Sequence, residues 1–305
     1  MNEKITVVMP AYREKAEQIE VAIDSILNQT YQEFQYIIVL DDPQNKELET
    51  LIRAYAEKDA RISLYINEKN SGCPFSKDRG IRLADTEYVA IMDSDDIARP
   101  HRLEKQLQKM ELETVDIIAG YVTVIDEKGR ELHKMDNLPL THEEIVKKMR
   151  VNNCMPHPTW FLRKDVYLEL GGYSDIQGCE DYDFLLKALS KGYKLGMVND
   201  IVLDYRLSTQ SISRNNLYKQ YLMMRYLQDK YFNHKSNYSC YEEYEKAKFT
   251  EKRAEKYAKA SGLFEKAIAY KTQNRFFYMG WYVILAICSS REYALKVCRY
   301  ILQEL

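Results

Sequence analysis

Two carboxylates one residue apart, Asp93 and Asp95, follow directly on the apolar run Tyr88-Val89-Ala90-Ile91-Met92. Carboxylate oxygens at that spacing, on the end of a buried strand, can hold a hard divalent cation such as Mg2+ or Mn2+. Such an ion keeps coordination positions open for phosphate oxygens. A second acidic pair, Asp41-Asp42, ends the run Tyr36-Ile37-Ile38-Val39-Leu40, and Pro10-Ala11-Tyr12 ends Ile5-Thr6-Val7-Val8-Met9. Far along the chain, Glu180-Asp181 stands at the start of a helical segment. Bland readings exist for each. Asp96, ahead of Ile97-Ala98-Arg99-Pro100, can cap a following helix. Glu180 and Asp181 also suit the first turn of a helix. His157, before Pro158, reads more readily as a structural hydrogen-bonder than as a ligand, and Tyr173 reads as core.

The elements that must position these residues alternate. The run at 36–40 is apolar throughout, as a strand buried on both faces should be, and the runs at 5–9, 62–66 and 88–92 read as strands with it. Between them lie amphipathic helices. Ile19, Ala22, Ile23, Ile26 and Leu27 follow one helical face, and Leu48, Leu51, Ile52, Tyr55 and Ala56 repeat the spacing. Strand-helix repetition implies a parallel sheet with helices on both faces, and ligands bind such sheets beyond the carboxyl ends of the strands. The three clusters above lie at those ends. After Glu113 we expect a strand over 117–125, a turn at 126–129, and a helix over 142–151. A short strand over 159–162, a helix over 181–191 and a last strand over 201–205 follow. From Asn215 the chain reads as helical, broken near 233–239 and at 289–290.

Composition narrows the class. Of 305 residues, 46% are hydrophobic and 30% charged, which supplies a core and excludes disorder. The six cysteines form no C-x-x-C pair, as expected of a reduced, cytoplasmic chain, and the start at Met1-Asn2-Glu3-Lys4 has no signal-peptide pattern. The net charge of -2 hides a split: from Arg214 onward 17 Lys and Arg face 9 Asp and Glu, so residues 1–213 are acidic and the tail basic. The tail also holds 13 of the 25 tyrosines.

The motifs converge on one family. Asn70-Ser71-Gly72, then Lys77-Asp78-Arg79-Gly80, precede Ala84-Asp85-Thr86-Glu87-Tyr88-Val89-Ala90-Ile91-Met92-Asp93-Ser94-Asp95-Asp96. This run resembles the sugar-nucleotide half of family 2 glycosyltransferases, which have the GT-A fold. Val7 to Glu14 looks like the family's first strand and nucleotide loop, Ser25 to Tyr31 like the end of its first helix, and Val39 to Asp42 like its second strand. His157-Pro158-Thr159-Trp160-Phe161, Gly171-Gly172-Tyr173, Glu180-Asp181-Tyr182-Asp183 and Tyr205-Arg206 follow in the family's order. The resemblance covers residues 4 to about 213, and several independent motifs in one order carry far more weight than any one.

The resemblance implies an α/β GT-A fold: a Rossmann-like, mostly parallel sheet flanked by helices, with a C-terminal helical extension. It implies a nucleotide-sugar-binding half at 1–98, an acceptor half at 99–213, and an appended basic, Tyr-rich region at 214–305. It assigns Pro10, Ala11, Tyr12, Glu14, Asp42, Lys77, Asp93, Ser94 and Asp95 to the nucleotide sugar, UDP-linked in the family's manner, with Tyr12 near base or ribose and Asp42 on the uracil N–H. Asp95, with Asp93, would hold Mn2+ or Mg2+. Asp181 would be the general base of an inverting transfer to a glycan or polyprenyl-diphosphate-linked acceptor, and Glu180 would position the acceptor or orient the base. Three departures stand out. Pro43-Gln44 replaces the family's Gly-Ser turn, and Pro removes a donor there. Lys77 replaces an Arg and loses the bidentate fork. Ser208 stands where many relatives carry a metal-proximal His.

Tyr, Lys and Arg interleave through Tyr218, Lys219, Tyr221, Arg225, Tyr226, Lys230 and Tyr231, and Arg275-Phe276-Phe277-Tyr278 follows later. Such a surface suits an anionic membrane face or a lipid diphosphate; a helical bundle with tyrosines in its seams, or a homodimer interface, is the plainer reading. No nucleic-acid motif is present. The apolar stretch 276–288 is too short to span a bilayer, which takes about 20 residues. Two other functions compete with glycosyl transfer. Nucleotidyl transfer to a sugar phosphate would want a glycine-rich basic loop after the first strand, where Pro10 to Glu14 has no glycine. A non-catalytic sugar-nucleotide-binding or scaffold protein would be expected to lose one of Asp93, Asp95 and Asp181, and all three are present.

Overall fold

The structure is a computed structural model and describes residues 3–176, 178–207, 217–233, 238–273 and 275–304. Ser208 and the expected boundary at 213/214 lie outside the described residues. The chain divides into two compact units, residues 1–146 with 153–208, and residues 147–152 with 209–305.

The first unit is α/β. It opens β1 (Ile5–Ala11), α1 (Ala16–Leu27), β2 (Phe34–Leu40), α2 (Lys46–Lys58), β3 (Ile62–Ile66), α3 (Cys73–Leu83) and β4 (Tyr88–Ile91). It continues with β5 (Ile97–Ala98), α4 (Arg102–Leu112), β6 (Ile117–Ile125), β7 (Glu131–Met135) and α5 (His142–Met149), the last running into the second unit. It closes with β8 (Phe161–Arg163), α6 (Lys164–Glu169), α7 (Glu180–Ser190) and β9 (Leu195–Arg206). The strands form one sheet in the order β3-β2-β1-β4-β8-β6-β9-β5, with β7 on β6. The run β3-β2-β1-β4 is parallel throughout; β8 then enters antiparallel, and β6 and β9 pair parallel.

β1 is central, with β2 on one side and β4 on the other, so all seven of its residues are buried. Burial on both faces is why its sequence shows no alternation. Pro10 is tolerated inside it for a local reason. Val8 O accepts from Met92 N and Ala11 O from Asp41 N. Residue 10 therefore turns its missing donor toward the β4 side, where pairing has stopped at Val8–Ile91. The sheet thus parts between β1 and β4 beyond these carboxyl ends, which is where open α/β sheets bind ligands.

Some boundaries move. The segment His157–Thr159 is one turn of 3-10 helix, and the strand expected over 159–162 begins at Phe161. The last strand starts six residues earlier than expected, at Leu195. Asp96 is not a helix cap: β5 follows it, and α4 begins only at Arg102, after His101.

The second unit is helical: α8 (Leu217–Gln228) with a wider π turn at Asp229–Asn233, α9 (Tyr241–Lys248), α10 (Glu251–Thr272), α11 (Phe276–Ser289) and α12 (Arg291–Glu304). α9 and α10 are separated by 249–250, α10 ends at Thr272, α11 begins at Phe276, and Ser290 separates α11 from α12. Tyr218, Tyr221, Tyr226, Tyr244, Tyr257 and Tyr293 are buried. Rings of Tyr221 and Tyr257 lie 5.1 Å apart and those of Tyr257 and Tyr293 5.3 Å. Most of the interleaved tyrosines of α8 are therefore core seams, the plainer of the two readings. No helix among the described residues is long and apolar enough to cross a membrane.

Candidate active site

The loops after β1, β2 and β4 carry most of the expected residues. Pro10 and Ala11 end β1, and Tyr12 N donates to Glu14 Oε2 at 2.8 Å. Arg13 folds back over the Tyr12 ring, 4.8 Å from its centroid, and donates from Nε to Asp42 Oδ2 at 2.8 Å. Gln44 N caps the other Asp42 oxygen at 3.0 Å. These bonds hold the Asp42 carboxyl below its ordinary range, Arg13 contributing most. Pro43 thus does not abolish the loop: Gln44 supplies the donor that Pro43 lacks.

Asp41 and Asp42 have different work. Asp41 accepts from Asn67 Nδ2 at 2.6 Å, Ser71 N at 2.9 Å and Gly72 N at 2.7 Å. It pins the loop that leads into α3. Gly72, at φ 91°, makes the left-handed turn before that helix. α3 then lies against β1 so closely that a Cβ on Gly80 would stand 2.4 Å from Val8 Cγ1. That approach brings Lys77, one turn earlier, over the end of β4.

Lys77 is buried, and its Nζ lies 2.6 Å from Asp93 Oδ1. Burial alone would lower its affinity for a proton, but Asp93, with help from Cys73 and Glu180, reverses this and keeps it an ammonium. The same Nζ lies 3.5 Å from His157 Nδ1, and His157 Nε2 lies 2.8 Å from the Tyr173 hydroxyl. An ammonium only donates, so Nδ1 accepts and Nε2 carries the proton, which it gives to the Tyr173 oxygen. Burial and the neighbouring ammonium hold His157 neutral, well below its ordinary value. Tyr173 keeps its own proton, since burial and the surrounding acids push its pKa far up. His157 and Tyr173 therefore belong to the cluster, as one chain from Lys77.

The 93–96 loop is crowded with acid. Asp95 is pushed up to about 7, first by burial and then by the charges of Asp93 and Glu14. Asp96 is buried deeper and is likewise raised well above its ordinary value, first by burial and then by Asp95; its Oδ1 accepts from Arg206 N at 2.7 Å, and its Oδ2 has no hydrogen-bond partner among the described residues. Ser94, between Asp93 and Asp95, is buried. Arg206, at the end of β9, holds the loop by donating from Nε to Asp95 O at 2.7 Å. Carboxylates packed this way favour a cation among them. Asp93 and Asp95 offer hard oxygen donors, and no group of three or more His, Cys, Asp or Glu among the described residues is placed to hold a metal. Two carboxylates with waters and phosphate oxygens completing the shell is the usual Mg2+ arrangement, so the residues fit such an ion.

Glu180 and Asp181 form the first turn of α7, after Cys179. Glu180 Oε2 accepts from Gly178 N at 2.8 Å. Asp181 accepts from Tyr182 N at 2.7 Å and, on Oδ2, from Asn153 Nδ2 at 2.8 Å. Its acidity is moved up to about 6, chiefly by burial and next by Glu180, with Tyr182, Asn153 and Lys77 opposing. Lys77 is the common neighbour: it touches Asp93 and lies in the field of Glu180 and Asp181. Tyr173 likewise senses Asp181, Glu180 and Asp93. Residues 93 and 181, remote in sequence, therefore border one cluster. The sequence reading missed Asn153 and the loop-holding role of Arg206. Asn153 lies on an irregular segment with no pattern to mark it, and Arg206 works through backbone groups.

Comparison with known proteins shows the family. Residues 6–171 match Glycosyl transferase family 2. The chain is 33% identical to an uncharacterized glycosyltransferase of Methanocaldococcus jannaschii, over 74% of this chain and 80% of that one. It is 31% identical to the O-antigen biosynthesis glycosyltransferase WbnJ of Escherichia coli, over 70% of this chain and 83% of that one. It is 28% identical to the amylovoran biosynthesis glycosyltransferase AmsE of Erwinia amylovora, over 66% and 75% respectively. The chain belongs to glycosyl transferase family 2, and its α/β sheet with a C-terminal helical region is the GT-A arrangement that the motifs imply.

Proposed function

We propose that the protein is an inverting glycosyltransferase that moves a hexosyl or N-acetylhexosaminyl group from a UDP-sugar to a hydroxyl of a glycan or polyprenyl-diphosphate-linked saccharide. Residues 1–213 would carry the reaction. The observation that carries this reading is Asp181: a half-buried carboxylate raised to about 6, bordering the cluster that holds Lys77 and Asp93. Such a group is ionised at neutral pH yet basic enough to accept a proton. The names of the relatives, O-antigen and amylovoran biosynthesis, suggest a surface polysaccharide as the product.

In this reading Tyr12 and Asp42 bind the nucleoside, Asp42 through its ionised oxygens, whose remaining lone pairs can accept from a uracil N–H. Lys77 places positive charge beside the diphosphate and Glu14 fixes the backbone of the β1 loop. Asp93 and Asp95 would hold Mn2+ or Mg2+, which when bound supplies Lewis-acid neutralisation of the leaving diphosphate. Asp181 takes the proton of the attacking hydroxyl at a carboxylate oxygen, on the face opposite the nucleotide. Asn153 and Tyr182 N hold that carboxylate in place, and Glu180 orients the acceptor. Tyr173, its proton free because His157 donates to its oxygen, lines the site as a hydrogen-bond donor. Nucleotidyl transfer fits less well, since the stretch Pro10 to Glu14 has no glycine and its Arg13 is engaged by Asp42.

The test is Asp181→Asn. UDP affinity, read by calorimetry with Mn2+, should be unchanged, and transfer should fall by about three orders of magnitude or more, near the upper end for a general base. Near-normal turnover would remove the assignment. A thermal-shift screen of nucleotide sugars with and without Mn2+ names the donor.

A further inference from the structure

Helix α11 has two faces with opposite fates. Tyr278, Tyr282 and Ala286, spaced four apart, follow the α10 side: the rings of Tyr278 and Tyr282 stack 5.3 Å and 5.4 Å from Tyr270 of α10, Ala286 is fully buried, and Tyr278, still 43% exposed, borders the open face. Phe277, Trp281, Ile284 and Cys288 form the opposite stripe. Phe277 is 81% exposed, Trp281 54% and Ile284 56%. Phe276 extends the patch at the same end. No residue of Phe276–Ser289 is charged. Single exposed apolar residues need no explanation, but a contiguous aromatic stripe marks an interaction surface.

We propose that this face of α11 is a docking surface for an anionic lipid bilayer, on which the helix lies flat. Three observations choose this occupant. The helix is about 21 Å long at 1.5 Å per residue, too short to span a bilayer and long enough to lie in its interface. The stripe is led by Phe and Trp, whose rings settle at the headgroup level. Its two ends carry exposed cations, Arg275 before the helix and Arg291 after it. Arg275 is held over the Tyr278 ring at 4.3 Å, so its charge stays beside the stripe. From Arg214 onward basic residues outnumber acidic ones by 8, which favours a negative surface over a neutral one. The proposal stands on these helices and not on the catalytic reading, and its test measures binding rather than transfer.

The chain supplies its own probe. Of its two tryptophans, Trp160 is fully buried and Trp281 is exposed, so a change in emission reports α11. The full chain is titrated with vesicles of equal phosphatidylglycerol and phosphatidylcholine, with pure phosphatidylcholine vesicles as reference. The expected result is a blue shift, quenching by brominated chains, and co-sedimentation with the anionic vesicles that weakens as salt rises. Phe277→Glu with Trp281→Glu should lower partitioning on the order of 100-fold, about tenfold for each ring. Arg275→Glu with Arg291→Glu should remove the preference for anionic vesicles while circular dichroism stays unchanged. No binding to either vesicle, or binding indifferent to the aromatic pair, overturns the proposal. So does a lipid-free dimer in sedimentation velocity that Phe277→Glu dissociates, since the stripe would then be covered by a second copy.

Discussion

Removing the hydrogen bond from Asn153 should move the acid limb of the pH–rate profile upward. Asn153 Nδ2 donates to Asp181 Oδ2 at 2.8 Å and favours the ionised carboxylate, while burial and Glu180 oppose ionisation and leave it at about 6. A hydrogen bond to a charged group contributes about 1.5–3 kcal/mol. Asp181 is half-buried, so the lower figure applies, and one pH unit corresponds to about 1.4 kcal/mol. Asn153→Ala should therefore raise the limb by about one unit. In kcat/KM, which reports the free enzyme, the variant should run about threefold slower at pH 6.5 and nearly level with the wild type at pH 8.5. Asn153→Asp separates two effects. It keeps the acceptor that Met155 N uses at 3.0 Å, yet sets a like charge beside Asp181, so the limb should rise further. The assay is transfer of radiolabelled sugar from pH 5 to 9 at saturating Mn2+. A limb that stays in place in both variants would refute the reasoning, because Asp181 would not then be the group whose ionisation limits the rate.

Three further outcomes follow from the same geometry. Because the folded state raises Asp181 from 3.8 to about 6, folding binds the proton more tightly, so this group costs stability increasingly from about pH 4 to 6 and by a constant amount above. Asp181→Asn should thus raise the melting temperature at pH 8 by a few degrees, for about 1–2 kcal/mol after allowing for solvent access, and should not raise it at pH 4; equal curves at both would refute the shift. Gly80→Val should lower stability by about 1–3 kcal/mol or more, since even its Cβ meets Val8 at 2.4 Å and the sheet is fully packed there; denaturant unfolding measures it, and a neutral result would mean that α3 can lift from β1. Lys77→Met keeps the stem and removes the ammonium 2.6 Å from Asp93, and UDP affinity should fall about tenfold, in keeping with one charge-assisted contact; unchanged affinity by calorimetry would place the diphosphate elsewhere.

What the sequence made legible was whatever depends on burial pattern. β1, β2 and β4 read correctly because strands covered on both faces take few polar residues, and Thr6, the buried polar side chain of β1, is paired with Thr86; the order of strand and helix then fixed where the acidic loops fall. The failures concern partners that no pattern encodes. Asp96 has the right neighbours for a helix cap, but Arg206 N, 110 residues away, takes its Oδ1, and the chain runs on into β5 instead. Thr159 and Trp160 look extended by propensity, yet Thr159 turns into the 3-10 segment, where its Oγ1 accepts from Gly120 N and its carbonyl from Gln106 Nε2. Asp41 and Asp42 make the point most directly. They are one residue type at adjacent positions, and the strand's alternation sends one into the loop of Asn67, Ser71 and Gly72 and the other toward Arg13 and Gln44. The first is committed to structure through two backbone donors and an amide; the second keeps one backbone donor, Gln44 N, and otherwise answers to an exposed arginine that a ligand can displace. Which aspartate serves a substrate is thus decided by how firmly its present partners are themselves held.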